Sequence, residues 1–296
     1  MDSNEITRKY FDSILLKSRL IDSDFPDISF DLWGKRFNTP ITTAALSHMN
    51  GTCENGMTEL AKGAKEVGAV NFVGMESYEG ELDDLMTAQA DTIKIIKPLS
   101  DNNEIYKRIE HVNELGVFAM GMDIDHAFGP TGNYDVVEGL SMRPKTKEEL
   151  KSFVQKAGDT PFVIKGVLSV EDARKCVEIG AKGIIVSHHH GIMPSSVPPL
   201  MILPQIKEAV GDALTIFVDC GIESGIDVFK ALCLGADAVC VGRALIPALK
   251  EGKASGVAKK LKSLSGELSS IMARTGYHSL KELDDSSLVI NEGFLR

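Results

Sequence analysis

From residue 40 onward the chain alternates short runs of apolar and β-branched residues with amphipathic stretches of about three helical turns. No other feature restricts the fold so strongly, because strands separated by helices run parallel and bury both faces. The runs predict strands at Pro40–Ala44, Ala69–Gly74, Thr92–Ile96, Val117–Met122, Pro161–Ile164, Gly183–Ser187, Thr215–Val218 and Ala238–Val241. Between them the pattern predicts helices that include Asp101–Leu115, Thr146–Gln155, Ser169–Ile179, Leu203–Val210 and Ser224–Leu234, several opening on a Ser, Thr or Asp suited to capping. Eight such units close most simply as an α/β TIM barrel, (β/α)8.

This division leaves residues 1–38 as a flanking segment, 39–250 as the barrel and 251–296 as a C-terminal helix and tail, all within one domain. The flanking segment predicts a short helix around Ile6–Leu16 and a hairpin over Phe30–Phe37 turning at Gly34-Lys35, both set at the barrel floor. His126–Lys145, punctuated by Gly129, Pro130, Gly132 and Pro144, is the longest stretch without periodicity. It follows strand four, where a barrel loop opens onto the catalytic face. The last helix, Glu251–Thr275, reads as polar enough for the surface, and the tail from Asp284 carries no signal.

The 42 acidic and 32 basic residues leave a net charge of −10 with no Lys/Arg block, which argues against a nucleic-acid partner. No apolar run approaches the roughly 20 residues of a membrane span. Met1–Phe11 is too polar for a secretory signal, so the expectation is a cytoplasmic protein without a membrane partner. Cys53, Cys176, Cys220, Cys233 and Cys240 show no C-x-x-C spacing and read as buried thiols with no disulfide, metal or catalytic assignment.

The chemistry-bearing residues gather in the second half. Phe217-Val218-Asp219-Cys220-Gly221-Ile222 and Val239-Cys240-Val241-Gly242-Arg243-Ala244 both place glycine at a strand end before a helix. Glycine there lets backbone N–H groups approach a phosphate, and barrels commonly bind phosphate after strands seven and eight. Arg243 adds a fork-shaped cation. Three consecutive histidines, with His48, Asp123, Asp125 and His126, raise the question of a metal. Neighbouring strand residues point to opposite faces and no His-x-x-x-His spacing is present, so no metal is assigned.

Together with Val163-Ile164-Lys165-Gly166-Val167 and Val186-Ser187-His188-His189-His190-Gly191, the chain resembles the FMN-dependent α-hydroxy acid oxidase and dehydrogenase family, as a shortened and divergent member. The likeness is closest from Phe162 to Ala248, and Pro40-Ile41-Thr42-Thr43-Ala44-Ala45 is similar to the family's first strand. The resemblance implies FMN as cofactor, held by Ala44, Ala45, Lys94, Lys165, Asp219, Gly221, Gly242 and Arg243. It implies Lys165 beside the flavin N1 and C2 carbonyl, His189 as the base that takes a substrate hydroxyl proton, and Asp123 as the carboxylate that orients it. It also implies a small-molecule substrate and a homo-oligomer, a tetramer in many members.

Several positions depart from the family pattern. Ile192 stands where the hydroxy acid enzymes carry an arginine for the substrate carboxylate, and His126-Ala127-Phe128-Gly129 offers no second one. Lys94, Lys97, Arg143 or a protonated histidine would have to substitute. With the first predicted strand beginning at Pro40, the family's N-terminal extension and its active-site tyrosine are expected to be missing, and Glu223 stands where many members carry an arginine of the phosphate loop. With Glu76, Asp123 and Asp125 near the mouth, a neutral or cationic substrate is expected in place of an ordinary 2-hydroxy acid. Two alternatives stay open: an FMN-dependent isomerase like the type 2 isopentenyl diphosphate isomerases, and a barrel that binds FMN or phosphate with little catalysis.

Overall fold

The computed structural model describes residues 2–291 and Gly293. Eight parallel strands form the central sheet: β1 (Ile41–Thr43), β2 (Asn71–Val73), β3 (Thr92–Ile96), β4 (Ala119–Asp123), β5 (Phe162–Val167), β6 (Gly183–Val186), β7 (Thr215–Val218) and β8 (Ala238–Val241). Their order around the sheet is β2-β3-β4-β5-β6-β7-β8-β1, so each strand pairs with its sequence neighbour until the ends meet. The seam between β1 and β2 is closed by one residue. Thr43 N–H donates to Val70 O at 3.2 Å, and its hydroxyl donates to Asn71 Oδ1 at 2.9 Å while accepting from Phe72 N at 2.8 Å.

The outer ring comprises α1 (Gly56–Val67), α2 (Glu81–Met86), α3 (Asn102–Glu114), α4 (Lys147–Ala157), α5 (Val170–Glu178), α6 (Pro199–Val210), α7 (Gly225–Cys233) and α8 (Ile246–Thr275). Asp101, Thr146, Ser169 and Ser224 cap α3, α4, α5 and α7 with their side chains, which is where the sequence placed those helix starts. The long α8 breaks at Lys253 and then buries Val257, Leu261, Leu264 and Leu268, so one of its faces belongs to the core although its composition reads as a surface helix.

Alternation along the strands separates two apolar layers. Ile93, Ile95, Ala119, Val163, Ile185 and Phe217 fill the barrel interior, while Ile96, Met122, Ile164, Ile184 and Val218 face the helices. Continuing the inward parity past the last apolar residue puts Lys97, Asp123, Lys165 and Asp219 at the C-terminal mouth.

The flanking segment divides between the two ends. The hairpin Phe30–Leu32/Lys35–Phe37 plugs the floor, where Trp33 stacks on Phe118 at 5.8 Å. Leu32 pairs with Lys35, so the turn residues are Trp33 and Gly34 and not Gly34-Lys35; both have positive φ, the geometry of a tight hairpin turn. The N-terminal helix, Ser3–Ser13, goes instead to the mouth. Its exit strand Ile14–Leu16 pairs antiparallel with Leu288–Ile290, which gives the tail from Asp284 a structural role; Glu292 and residues 294–296 lie outside the described residues.

Replacing Thr43 by valine keeps its shape but orphans the buried Phe72 N–H and the Asn71 Oδ1, while Asn71 Nδ2 keeps Thr92 Oγ1. The expected cost is about 1–3 kcal/mol of stability, read as a lower denaturation midpoint in urea.

Candidate active site

The mouth holds a cavity of about 440 Å³, within the range of small-molecule and cofactor sites. β1 brings Ala44 and Ala45 to its wall, β5 brings Lys165, and the turns after β7 and β8 bring Asp219 with Gly221 and Gly242 with Arg243. Gly221 has φ +89°, which side chains rarely adopt, and a Cβ there would press on Thr7 and Phe11 of the N-terminal helix. A Cβ at Gly242 would stand 3.4 Å from that of Ala44 and narrow the cavity. Small residues on one wall, backbone turns with a guanidinium at the end and a buried ammonium inside form a cradle with the chemistry that an FMN ring and phosphate require.

Beside this cavity lies a buried charge cluster. Lys165, 4% exposed, sits 3.8 Å from Asp123 Oδ1 and 4.0 Å from Asp219 Oδ2. Burial opposes its charge, but Asp123, Asp125 and Asp219 outweigh that and hold the ammonium firmly protonated. Lys97 donates to the other Asp123 oxygen at 2.8 Å. Burial would raise the Asp123 carboxyl, yet Lys165, Asp125, His189 and Lys97 hold it well below the usual range.

His189 enters the cluster because the chain after β6 turns left-handed at His189 and His190. Its Nδ1 donates to Asp125 Oδ1 at 2.7 Å and lies 3.3 Å from Asp123 Oδ1 and 3.1 Å from Lys165 Nζ. Burial and Lys165 act against the imidazolium, but the two carboxyl groups prevail and the histidine pKa is raised. The Nε2 atom has no protein partner among the described residues.

Asp125 is the member that sequence reasoning left unassigned. It fits only because Gly166, at φ +92° in a bulge of β5, lacks a side chain; a Cβ there would stand 2.6 Å from Asp125 Cγ. Burial first and then Asp123 raise its pKa to about 6. Asp125 Oδ2 and Asp123 Oδ1 are both buried without a partner while ionised. Below about pH 6 a proton on Asp125 relieves both, linking His189 through Asp125 to Asp123.

The chain matches the FMN-dependent dehydrogenase family over residues 2–158 and 148–290. It belongs to that family. It is 27% identical over 322 residues to an FMN-dependent alpha-hydroxy acid dehydrogenase of Schizosaccharomyces pombe, covering 91% of this chain and 79% of the yeast protein. An L-lactate dehydrogenase of Xanthomonas campestris pv. campestris is 40% identical over 162 residues, 54% of this chain; the match spans less than half of that protein, 42%. Mandelate oxidase superimposes with a TM-score of 0.88 at 25% identity, over 98% of this chain and 90% of the oxidase. A variant of mandelate oxidase carrying a monooxide FMN adduct gives 0.86 at 27%, over 97% and 91%. The protein is thus an FMN-dependent oxidoreductase acting on CH–OH groups, built on a TIM barrel.

Within this family member, not every sequence-derived site residue reaches the cavity. Lys94 does not: it has the outward parity of Ile96, lies buried between β3 and α3, and pairs with Glu76 at 2.7 Å. Glu76 is thereby neutralised outside the mouth, with Arg108 also nearby at 3.7 Å. Arg143 is spent on Glu149, Asn102 and the carbonyls of Ser100 and Pro144. Of the substitutes considered for a carboxylate clamp, only Lys97 and the histidines stand at the mouth. His126, held by Asp135 at 2.7 Å, packs edge-on against His189. Asp123, His126 and His189 each offer a donor atom within 4.8 Å of the others, a convergence that strand alternation did not suggest. The ammonium groups of Lys97 and Lys165, at 2.8 Å and 3.1 Å from those donors, oppose a dication there. No helix among the described residues is long and apolar enough to cross a membrane.

The Asp125 carboxyl binds its proton more tightly folded, with a pKa of about 6, than unfolded, where about 3.9 is usual. The fold therefore loses stability as pH rises from about 4 to 6, by up to about 2–3 kcal/mol. Asp125→Asn should remove that loss, so its stability relative to wild type improves between pH 4 and pH 7 in parallel urea titrations.

Proposed function

We propose that the protein oxidises a small hydroxylated substrate with His189 as the base, and that this substrate carries no carboxylate of the ordinary 2-hydroxy acid kind. The single observation that supports the first half is the setting of His189: its Nδ1 is anchored to Asp125 and Asp123, and the residue lines the same cavity as Lys165, Gly221 and Gly242. Bound FMN supplies the acceptor for a hydride equivalent from the carbon. The chain's own part is to take the hydroxyl proton onto Nε2 and to stabilise the resulting imidazolium with two carboxyl groups. Lys165 supplies a buried, permanent positive charge at the cavity wall, where it favours negative charge on whatever lies against it. Asp123, kept ionised by Lys97 and Lys165, lies 3.3 Å from His189 Nδ1 and favours its charged form, and so acts as a positioning residue.

The second half rests on the missing cations. Ile192 and Phe128 are exposed at the loops where guanidinium groups would be needed, and Arg143 and Lys94 are committed elsewhere. Lys97 is already paired with Asp123, and Asp125 adds a carboxyl group to the same region. An anionic substrate would meet a mouth whose positive charges are already balanced.

Anaerobic mixing of the holoprotein with 2-hydroxy acids and with their uncharged amides or esters tests both halves. Bleaching of the flavin absorbance by the uncharged set, and not by lactate, glycolate or mandelate, is expected; rapid bleaching by those acids would refute the substrate assignment. His189→Ala should retain FMN and lose bleaching by at least about a hundredfold, as removal of a general base does. If bleaching persists at the wild-type rate, another group is the base. A substrate that is converted without net bleaching would mark an isomerase.

The pH dependence follows from the raised His189 pKa. The base must be neutral to act, so bleaching should accelerate with pH through a value above the ordinary 6.5. Asp125→Asn removes a carboxyl that stabilises the imidazolium, so the acid limb should move to lower pH; a limb that stays in place would dissociate Asp125 from the base.

A further inference from the structure

The phosphate end of the cavity has a conspicuous electrostatic problem. Arg243 is its cation on the barrel, but Glu223 lines the same space from the turn after β7 and brings a negative charge. Three residues of the N-terminal helix, Asn4, Thr7 and Arg8, complete the wall on the other side. The helix is fastened there by several bonds to the loop after β6. Thr7 Oγ1 meets the buried His188 Nε2 at 2.8 Å, Asn4 Nδ2 donates to His190 O at 3.0 Å, and Ser3 Oγ donates to Met193 O at 2.8 Å.

Arg8 is the only cation this helix brings to the cavity. Its Nε donates to Asp12 at 3.0 Å and its Nη2 to Asp227 at 2.9 Å, which fixes the guanidinium plane while Phe11 covers it at 4.9 Å. The Nη1 atom faces the glycine turn itself, with only a long 3.4 Å contact to Gly221 O. Both carboxylates, Asp12 and Asp227, hold the Nε/Nη2 edge, and Asp227 is itself fixed by Glu223 N, Ser224 N and Ser224 Oγ at the start of α7, so the Nη1 edge is the one left for a further anion. A guanidinium with a pre-set plane and an uncommitted edge beside a positive-φ glycine suits a phosphomonoester dianion.

We propose that Arg8 binds the FMN phosphate together with Arg243, supplying from the N-terminal helix the cation that the β7 turn lacks at Glu223. The N-terminal helix is then part of the cofactor site. The proposal depends on the family's cofactor and not on the identity of the oxidised substrate.

The test compares FMN with riboflavin, which lacks only the phosphate, using the full chain stripped of flavin and titrated by flavin fluorescence. The wild-type protein should bind FMN more tightly than riboflavin. Arg8→Gln should weaken FMN by about 10–100-fold and leave riboflavin within about twofold, the pattern of a lost charge-assisted contact. Equal losses for both flavins would show that Arg8 only props the wall, and no loss for either would show that it is remote from the phosphate; each overturns the proposal. Glu223→Arg in the Arg8→Gln background should restore the preference for FMN, and its failure to do so would also count against charge replacement. Should Arg8→Gln not fold, Arg8→Lys, which keeps the cation and loses the guanidinium fork, is read in the same way: it should weaken FMN and leave riboflavin unchanged, whereas equal effects on both flavins, or none, would overturn the proposal. Wild-type protein that bound neither flavin would contradict the cofactor itself and overturn the role of Arg8 with it, a result distinct from loss in the Arg8→Gln variant alone.

Discussion

The site depends on the Lys165 ammonium being kept charged inside the barrel. An unpaired ammonium at 4% exposure would lose its proton. Three carboxyl groups prevent this, with Asp123 and Asp219 reached from β4 and β7 across the barrel mouth. Inward parity on three strands is therefore an electrostatic requirement as well as a packing one. If one of those strands slipped by a single residue, its charge would turn toward the helices and the others would be left uncompensated. The barrel's register and its chemistry are held by the same constraint.

The ends of the chain serve that mouth in a way the central sheet cannot. The N-terminal helix lies against the turns after β6 and β7, and its exit strand is tied to Leu288–Ile290. Lys230 of α7 adds a buried bond to Phe11 O at 2.7 Å. The helix is thus held by side-chain bonds at the mouth and by a two-stranded sheet at its far end. One wall of the cofactor cavity is consequently coupled to the tail of the chain.

Eight strands were legible in the sequence because each is a short apolar run bounded by turn residues, and helix starts were legible where Asp101, Thr146, Ser169 and Ser224 could cap. Lys165 and the glycines after β7 and β8 were legible through motif and resemblance. Lys94 was not. Thr92-Ile93-Lys94-Ile95-Ile96 is buried on both faces, so the run itself does not reveal which parity points inward. Asp125 lies beyond the end of β4, where alternation no longer applies, and its seat depends on a bulge at Gly166 on a different strand. Arg8 lies on a helix whose place is set by contacts more than 180 residues away in sequence, such as that from Thr7 to His188. Local periodicity carries no information about such contacts. The hairpin turn was misplaced by one residue because Trp33 takes the positive φ that glycine would ordinarily mark.

The departures from the family pattern have a common direction once charge is followed through the mouth. Ile192 contributes no cation at the loop after β6, and Asp125 supplies a second carboxyl group to His189. Both features favour protonation of His189 and disfavour an anion beside it. A pKa near 6 lets Asp125 take up part of that change by holding a proton, so the cluster remains close to neutral without an arginine. At the other end of the cavity the substitution runs the opposite way: Glu223 removes a cation that phosphate requires, and Arg8 stands on the facing wall. A fixed dianion cannot be accommodated by moving one proton, whereas a neutral substrate needs no countercharge. The two ends therefore follow one rule of charge balance with different solutions, a shared proton at the reacting end and an imported guanidinium at the phosphate end.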